Sequence, residues 1–186
     1  MLEAQRAVYE ALGWSLWALD LTHDVGLPVV VAVAVHAGTD RFALGFGCHS
    51  DADLALRRAL SELHQVFDPG RAVPSPWDGM AASELPYLWP DPAARPAERA
   101  PAPTSRDLKD HVEAWVARLR ALGLDTIVVD KTRPDMGLHV AQVLVPGLRH
   151  VWPRFAPGRL TTVPVALGWI PRPLSEEELN PSPLLI

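Results

Sequence analysis

Two stretches of this chain carry the same ordered set of residues. LGWSLWALDLTHDVGLPVVVAVAV, from Leu12, aligns with LGLDTIVVDKTRPDMGLHVAQVLV, from Leu122. Leu12-Gly13 falls on Leu122-Gly123, Asp20 on Asp130, Thr22 on Thr132, and Gly26-Leu27 on Gly137-Leu138. The offset is 110 residues and becomes 111 after one inserted residue in the second turn. Each copy follows a segment of helical character. Helix–Gly–strand–turn–strand is a common local pattern, so coincidence is one reading of this match. The other is a pair of pseudo-symmetric halves facing a shared site. On that reading the expected fold is α/β: a mixed sheet with packed helices, built on two pseudo-repeated helix–strand–turn–strand units.

The remaining elements follow from local pattern. Residues 3–12 read as a helix stopped by Gly13. WSLWALDL alternates large apolar residues as a strand does, and VVVAVAV (29–35) is a β-branched run suited to a buried strand. RFALGFG follows the turn AGTD as a short strand, and Ser50 or Asp51 can cap the helix after it. TSRDLKDHVEAWVARLRALG is a further helix, with Thr104 or Ser105 as cap and an apolar stripe of Leu108, Val112, Trp115, Val116, Leu119 and Leu122. DTIVVD and HVAQVLV are strands. PGLRHVWPRFAPGRL reads as a shaped loop, and SEEELNPSPLLI as one acidic helical turn with an apolar tail. Residues 74–103 hold eight prolines in thirty positions, which excludes a helix or central strand. Trp77, Tyr87 and Trp89 within that loop argue that part of it packs.

Composition narrows the function. Of the 186 residues 48% are hydrophobic and the net charge is −5 with 17 Lys+Arg, so a core can form and nucleic acid is not an expected partner. The single Cys48 precludes an intramolecular disulfide and suits the cytoplasm. No apolar run reaches membrane-spanning length, and the N-terminus is no signal peptide.

ALRRALSELHQVF (55–67) sets Ala55, Leu56, Ala59, Leu60, Leu63, Val66 and Phe67 on one apolar arc. Along its border Arg58, Glu62 and Gln65 form a polar stripe at i, i+4 and i+7. Alone, the stripe is either a set of surface pairs worth a few tenths of a kcal/mol or a metal–phosphate site. In the second case Glu62 and Gln65 supply oxygens to Mg2+, and Arg58 supplies a fork for phosphate. Asp20, Thr22, His23 and Asp24 fit turn chemistry. Arg133, Asp135, Arg149, Arg154 and Arg159 either bind an anion or pack on Trp152 and Trp169. Adjacent Cys48-His49 is a poor nucleophile pair, and the two glycines of GFGCHS are a weak phosphate-loop signal.

LDLTHDVGLPVVVAVA, GFGCHSDADLALRRALSELHQ, VDKTRPDMGLHVAQVLVPGLRHVWPRFAPGRL and VPVALGW…LNPSP, in that order, resemble the C-terminal half of the YcaO family. The azoline-forming cyclodehydratases of ribosomal peptide biosynthesis look nearest. The resemblance covers residues 1–186 apart from the Pro-rich loop 74–103. It implies ATP and Mg2+ as cofactors and activation of a backbone amide in a precursor peptide by phosphorylation. The family's E-x-x-Q element falls on Glu62 and Gln65, implying magnesium and nucleotide binding. Arg58 and Arg133 then join as nucleotide-binding residues. The tail keeps Pro181 and Pro183 of a fuller proline pattern. The family's Gly-rich, S-x-x-x-E and E-x-x-E elements belong to an N-terminal half not found here. Implied partners are therefore the precursor peptide, a leader-peptide-binding protein and a complementing N-terminal YcaO half, with self-association as a further outcome. The rival is a non-catalytic peptide- or partner-binding module that keeps the scaffold.

Overall fold

The computed structural model describes residues 2–70, 77–94, 98–148 and 158–179. The chain forms two compact units, one reaching to Ala102 and one beginning at Pro103. The first contains α1 (Leu2–Ala11), β1 (Trp14–Asp20), β2 (Val29–His36), β3 (Phe42–Cys48) and α2 (Ala52–Val66). Its strands form an antiparallel sheet in the order β1-β2-β3. The second contains α3 (Leu108–Ala121), β4 (Ile127–Asp130), β5 (Ala141–Leu144) and α4 (Arg159–Ala166), with β4 and β5 antiparallel.

The internal repeat is a repeat of hydrogen bonds as well as letters. Thr22 N–H donates to Asp20 Oδ1 at 2.9 Å, and Thr132 N–H to Asp130 Oδ1 at 2.8 Å. The two threonine hydroxyls then accept from Val29 N–H at 3.3 Å and Val140 N–H at 3.1 Å. Leu21 N–H to Val29 O and Lys131 N–H to Val140 O are both 2.8 Å. Both helices end at a left-handed glycine, Gly13 at φ +78° and Gly123 at φ +74°, a conformation that Gly alone adopts cheaply. Strand register agrees too: Ala18 pairs with Ala32 as Val128 pairs with Val143. Each copy is thus a helix and a hairpin closed by a D-x-T turn.

In the first unit the sheet is covered on both faces. Ala32, Val33 and Ala34 are fully buried. Helix α2 lies on the face that carries Gly45 and Gly47. Cβ atoms added there would stand 2.1 Å from Leu63 N and 2.0 Å from Ala55 O. Two glycines at strand spacing therefore meet Ala55, Ala59 and Leu63 at helix spacing, and all three are completely buried. The two glycines of GFGCHS, a weak phosphate-loop signal in the sequence, admit a helix backbone here. On the other face Trp17 Nε1 donates to Leu88 O at 2.8 Å, and Trp89 stacks on Trp17 at 4.9 Å. That contact, with buried Trp77, anchors the described part of the Pro-rich loop, while Tyr87 is half exposed.

Three expectations change in detail. Asp107, rather than Thr104 or Ser105, caps α3 by accepting from Lys109 N–H at 2.9 Å. The stripe of α3 is only partly covered: Trp115, Val116 and Leu119 are half-buried, no residue of that helix is fully buried, and Leu108 is 78% exposed. Residues 159–166, unassigned beyond Leu160, form α4 with Pro164 inside it. Arg149, Arg154, Trp152, Pro181 and Pro183 lie outside the described residues.

Tyr9 packs in the first core, stacked near His64 at 5.9 Å and tilted on Phe67 at 4.5 Å. Its hydroxyl is buried without a hydrogen-bond partner among the described residues, and burial pushes its pKa up to about 12. An unpaired buried hydroxyl costs about 1–3 kcal/mol. Tyr9→Phe is therefore expected to leave the urea midpoint unchanged or to raise it. The parent should lose more stability than the variant between pH 10 and pH 12, because the unfolded Tyr9 phenol ionises at its ordinary value of 10.0 while the folded one keeps its proton. A Tyr9→Phe protein with the same alkaline limb as the parent would contradict this.

Asp20 carries an acid-side counterpart. Burial pushes its carboxyl pKa up, but the Thr22 side-chain and backbone bonds and the Arg99 guanidinium more than reverse this. The folded pKa is therefore lower than the unfolded one. The contribution is present above the model value of 3.8 and is lost as pH falls through the depressed value. Asp20→Asn is expected to flatten the acid limb below about pH 4 in thermal unfolding. Parallel acid limbs for the two proteins would refute it.

Candidate functional site

Helix α2 begins where Asp51 accepts from Asp53 N–H at 2.8 Å and Leu54 N–H at 3.2 Å, satisfying two of its orphan donors. The Gly–Ala packing then fixes the rotation of α2 on the sheet. With Ala55, Ala59 and Leu63 directed at β3, the Arg58–Glu62–Gln65 stripe runs along the border of that contact.

Among the described residues β3 is an edge strand. His49 N–H donates back toward β2, to Pro28 O at 3.2 Å, so the polar groups of Phe46 and Cys48, at the alternate positions, face away from β2. Arg58 and Glu62 meet them. Arg58 Nη1 donates to Cys48 O at 2.8 Å, and the Glu62 carboxylate accepts from Phe46 N–H. Both residues are therefore oriented by main chain, with Arg58 exposed and Glu62 half-buried. Charged side chains over a strand edge also block pairing with another strand. Gln65, one turn on, is exposed. Sequence reading missed these strand partners, since a backbone amide carries no residue signature.

The second Glu62 carboxylate oxygen, the Gln65 amide oxygen and the outer Arg58 N–H groups make a mixed donor–acceptor row. Among the described residues no group of three or more His, Cys, Asp or Glu is placed to hold a metal. One carboxylate and one amide suit a magnesium ion that keeps waters and nucleotide phosphates as its other ligands, rather than a cage built by the protein alone. Cys48 beside this row is no activated nucleophile: burial raises its pKa and the Arg58 charge only partly counters it.

Arg133 lies in the second unit, in the β4–β5 turn. Its guanidinium is held by Asp135, Nε to Oδ1 at 3.1 Å and Nη2 to Oδ2 at 2.6 Å. The Arg133 hydrogen bonds in turn lower the Asp135 pKa. An anion reaching Arg133 would compete with that carboxylate. Asp20 and Thr22 are occupied in turn closure and His23 contacts Asp24 at 3.0 Å, as turn chemistry requires.

An α/β unit that lays a charged helical border along a strand edge defines the class of site, and comparison with known proteins gives the family. Residues 1–149 match the sequence profile of YcaO cyclodehydratases, described as ATP- and Mg2+-binding. The chain belongs to the YcaO family. It is similar to the heterocyclase TruD, at 38% identity and TM-score 0.87 over 99% of this chain and 27% of that one. A heterocyclase in complex with substrate and cofactor matches at 37% identity and TM-score 0.83, over 98% of this chain and 26% of that one. An uncharacterized protein of Methanothermobacter thermautotrophicus is 29% identical over 156 residues, 75% of this chain and 40% of that protein. The chain thus spans about a quarter of the solved heterocyclases it matches. No helix among the described residues is long and apolar enough to cross a membrane.

Proposed function

We propose that residues 1–186 act as the C-terminal portion of a YcaO-type peptide cyclodehydratase, with 74–103 as a Pro-rich loop within it. Such an enzyme phosphorylates a backbone amide oxygen of a ribosomally made precursor peptide to form an azoline. The observation that carries this reading is the Arg58–Glu62–Gln65 row, set on the β3 edge by the Gly–Ala packing of α2. When bound, ATP with Mg2+ supplies the phosphoryl group and neutralises the charge around it. Glu62 and Gln65 would hold the cation's protein side by their oxygens. Arg58 has N–H groups beyond the one on Cys48 O, and these would meet phosphate oxygens. Arg133, in the second unit and held by Asp135, is a nucleotide-binding residue only by the family resemblance. The substrate's own Cys, Ser or Thr supplies the nucleophile.

Implied partners are the precursor peptide, a leader-binding protein and a complementing N-terminal YcaO half, in the cytoplasm. Titration calorimetry with ATP and Mg2+ tests this, on the chain alone and with that half added. Binding that appears or strengthens on complementation supports an enzyme part. One observation favours a second reading: a single carboxylate in the row and a neutralised Arg133 are few groups for nucleotide turnover. Absence of ATP binding in both titrations, unaltered by Glu62→Ala, would assign the chain to a peptide- or partner-binding module instead.

A further inference from the structure

The chain that leaves the first unit is fastened to it at two places of different strength. One is the Trp89 stack on Trp17, beside the Trp17 Nε1 bond to Leu88 O and the buried Leu88 side chain. The other is Glu98–Ala100, which lies on the turn joining β1 to β2. There Arg99 Nη2 donates to Asp20 Oδ2 at 2.5 Å, and Ala100 N–H donates to Gly26 O at 2.9 Å. Gly26, at φ +76°, lets the two backbones meet: a Cβ added to it would stand 2.7 Å from Ala100 N and 3.3 Å from Glu98 O. Asp20 divides its carboxylate between two tasks. Oδ1 closes the turn on the Thr22 N–H and hydroxyl, and Oδ2 takes Arg99. The repeated turn closes on Thr132 in the same way, while a Cβ on its Gly137 would meet nothing within 4 Å among the described residues. Turn closure therefore does not depend on the Arg99 contact, which is an addition to the first copy.

This second attachment is built to let go. The Arg99 and Asp20 side chains are 45% and 34% exposed, so the pair is solvated and screened by salt. None of residues 98–100 joins the first core. We propose that Glu98–Ala100 is a releasable latch that sets how much chain is free between the two units. Seated, it holds the chain to the first unit as far as Ala100. Attachment to α3 begins at Ser105, whose Oγ accepts from Asp107 N–H at 3.0 Å and donates to Asp110 Oδ2 at 2.5 Å. The free tether is then residues 101–104, stiffened by Pro101 and Pro103. Lifted, the chain keeps its attachment at Trp89, and the tether lengthens to residues 90–104. Tether length governs the effective concentration at which linked bodies meet, so one exposed ion pair controls how independently the units move.

The test is amide hydrogen exchange on the full chain, read at Ala100, with Leu88 N–H as the reference for the Trp89 attachment. In the parent at low salt, Ala100 is expected to exchange about tenfold or more slowly than in a synthetic peptide of residues 96–104, corresponding to about 1.4 kcal/mol. Asp20→Asn keeps Oδ1 for Thr22 and turns an amide NH2 toward Arg99. Arg99→Gln removes the cation from the exposed side, where the fold does not depend on it. Each variant is expected to remove most of the Ala100 protection and to leave Leu88 as it was. About 0.5 M NaCl should do the same to the parent. Trypsin cleavage of the Arg99–Ala100 bond, measured against Arg106–Asp107, should rise in parallel in Asp20→Asn. Three results overturn the proposal. Ala100 exchanges in the parent at the free-peptide rate, so the segment is not seated. It stays protected in both variants, so the ion pair does not hold it. Ala100 and Leu88 accelerate together, so the segment lifts in one piece and has no separate latch.

Discussion

Gly47→Ala is expected to destabilise the first unit severely. A Cβ at that position would lie 2.0 Å from Ala55 O and 2.5 Å from Ala59 N, and at Gly45 it would lie 2.1 Å from Leu63 N and 2.3 Å from Ala59 O. These neighbours are helix backbone, so no side chain can rotate away. Overpacking of a core costs about 1–3 kcal/mol and more where the backbone must move. Here the whole of α2 would have to lift from β3, uncovering Ala55, Ala59 and Leu63. A loss above about 3 kcal/mol is expected, against a typical domain stability of about 5–15 kcal/mol. Urea unfolding followed by circular dichroism measures it. Gly38→Ala is the control, since its nearest neighbour is the His36 ring at 3.3 Å, a side chain that can turn. A Gly47→Ala protein with the parent's midpoint would show that α2 does not rest on β3 at this distance.

The second large effect is on nucleotide use. Glu62→Gln keeps an oxygen to accept from Phe46 N–H, so the packing of α2 and the thermal midpoint are expected to hold. What is lost is the negative charge. In the assembled enzyme of the proposed function, kcat/KM for ATP is expected to fall by about 100-fold or more, the scale on which one electrostatic stabiliser is removed. That corresponds to about 2.7 kcal/mol of transition-state stabilisation. Glu62→Ala should lose activity and also leave Phe46 N–H to water, lowering stability by about 1 kcal/mol. ATP consumption at saturating and limiting magnesium separates the cases. Full activity of Glu62→Gln would reduce this carboxylate to a guard on the strand edge.

Much of the fold was legible in local pattern. The helix that begins after Asp51, the β-branched run of β2 and the glycine stops at Gly13 and Gly123 are decided by residues within a turn or two of each other. The repeat was legible for the same reason: its D-x-T turns and left-handed glycines are short-range devices, and they recur with the same hydrogen bonds. Helix α4 escaped because Pro164 and the Gly- and Pro-dense approach to it read as a loop. The stripe of α3 was read correctly as apolar, and the structure leaves its N-terminal members Leu108 and Val112 exposed and the rest half-buried. Periodicity identifies the face that seeks burial without supplying what buries it.

The candidate site divides along the same line. Sequence by itself determined that Arg58, Glu62 and Gln65 share one border of a helix, since 3.6 residues per turn puts them there whatever the helix packs on. It also determined family membership, through motifs kept in order. Only the tertiary structure decided what that border faces. The glycines of β3 let α2 approach until its backbone touches the strand, and that closeness brings Arg58 to Cys48 O and Glu62 to Phe46 N–H. Tertiary structure likewise decided that Ala32 is buried while its repeat counterpart Val143 is 59% exposed. Two copies of one local code differ in burial because burial depends on strands and helices far along the chain.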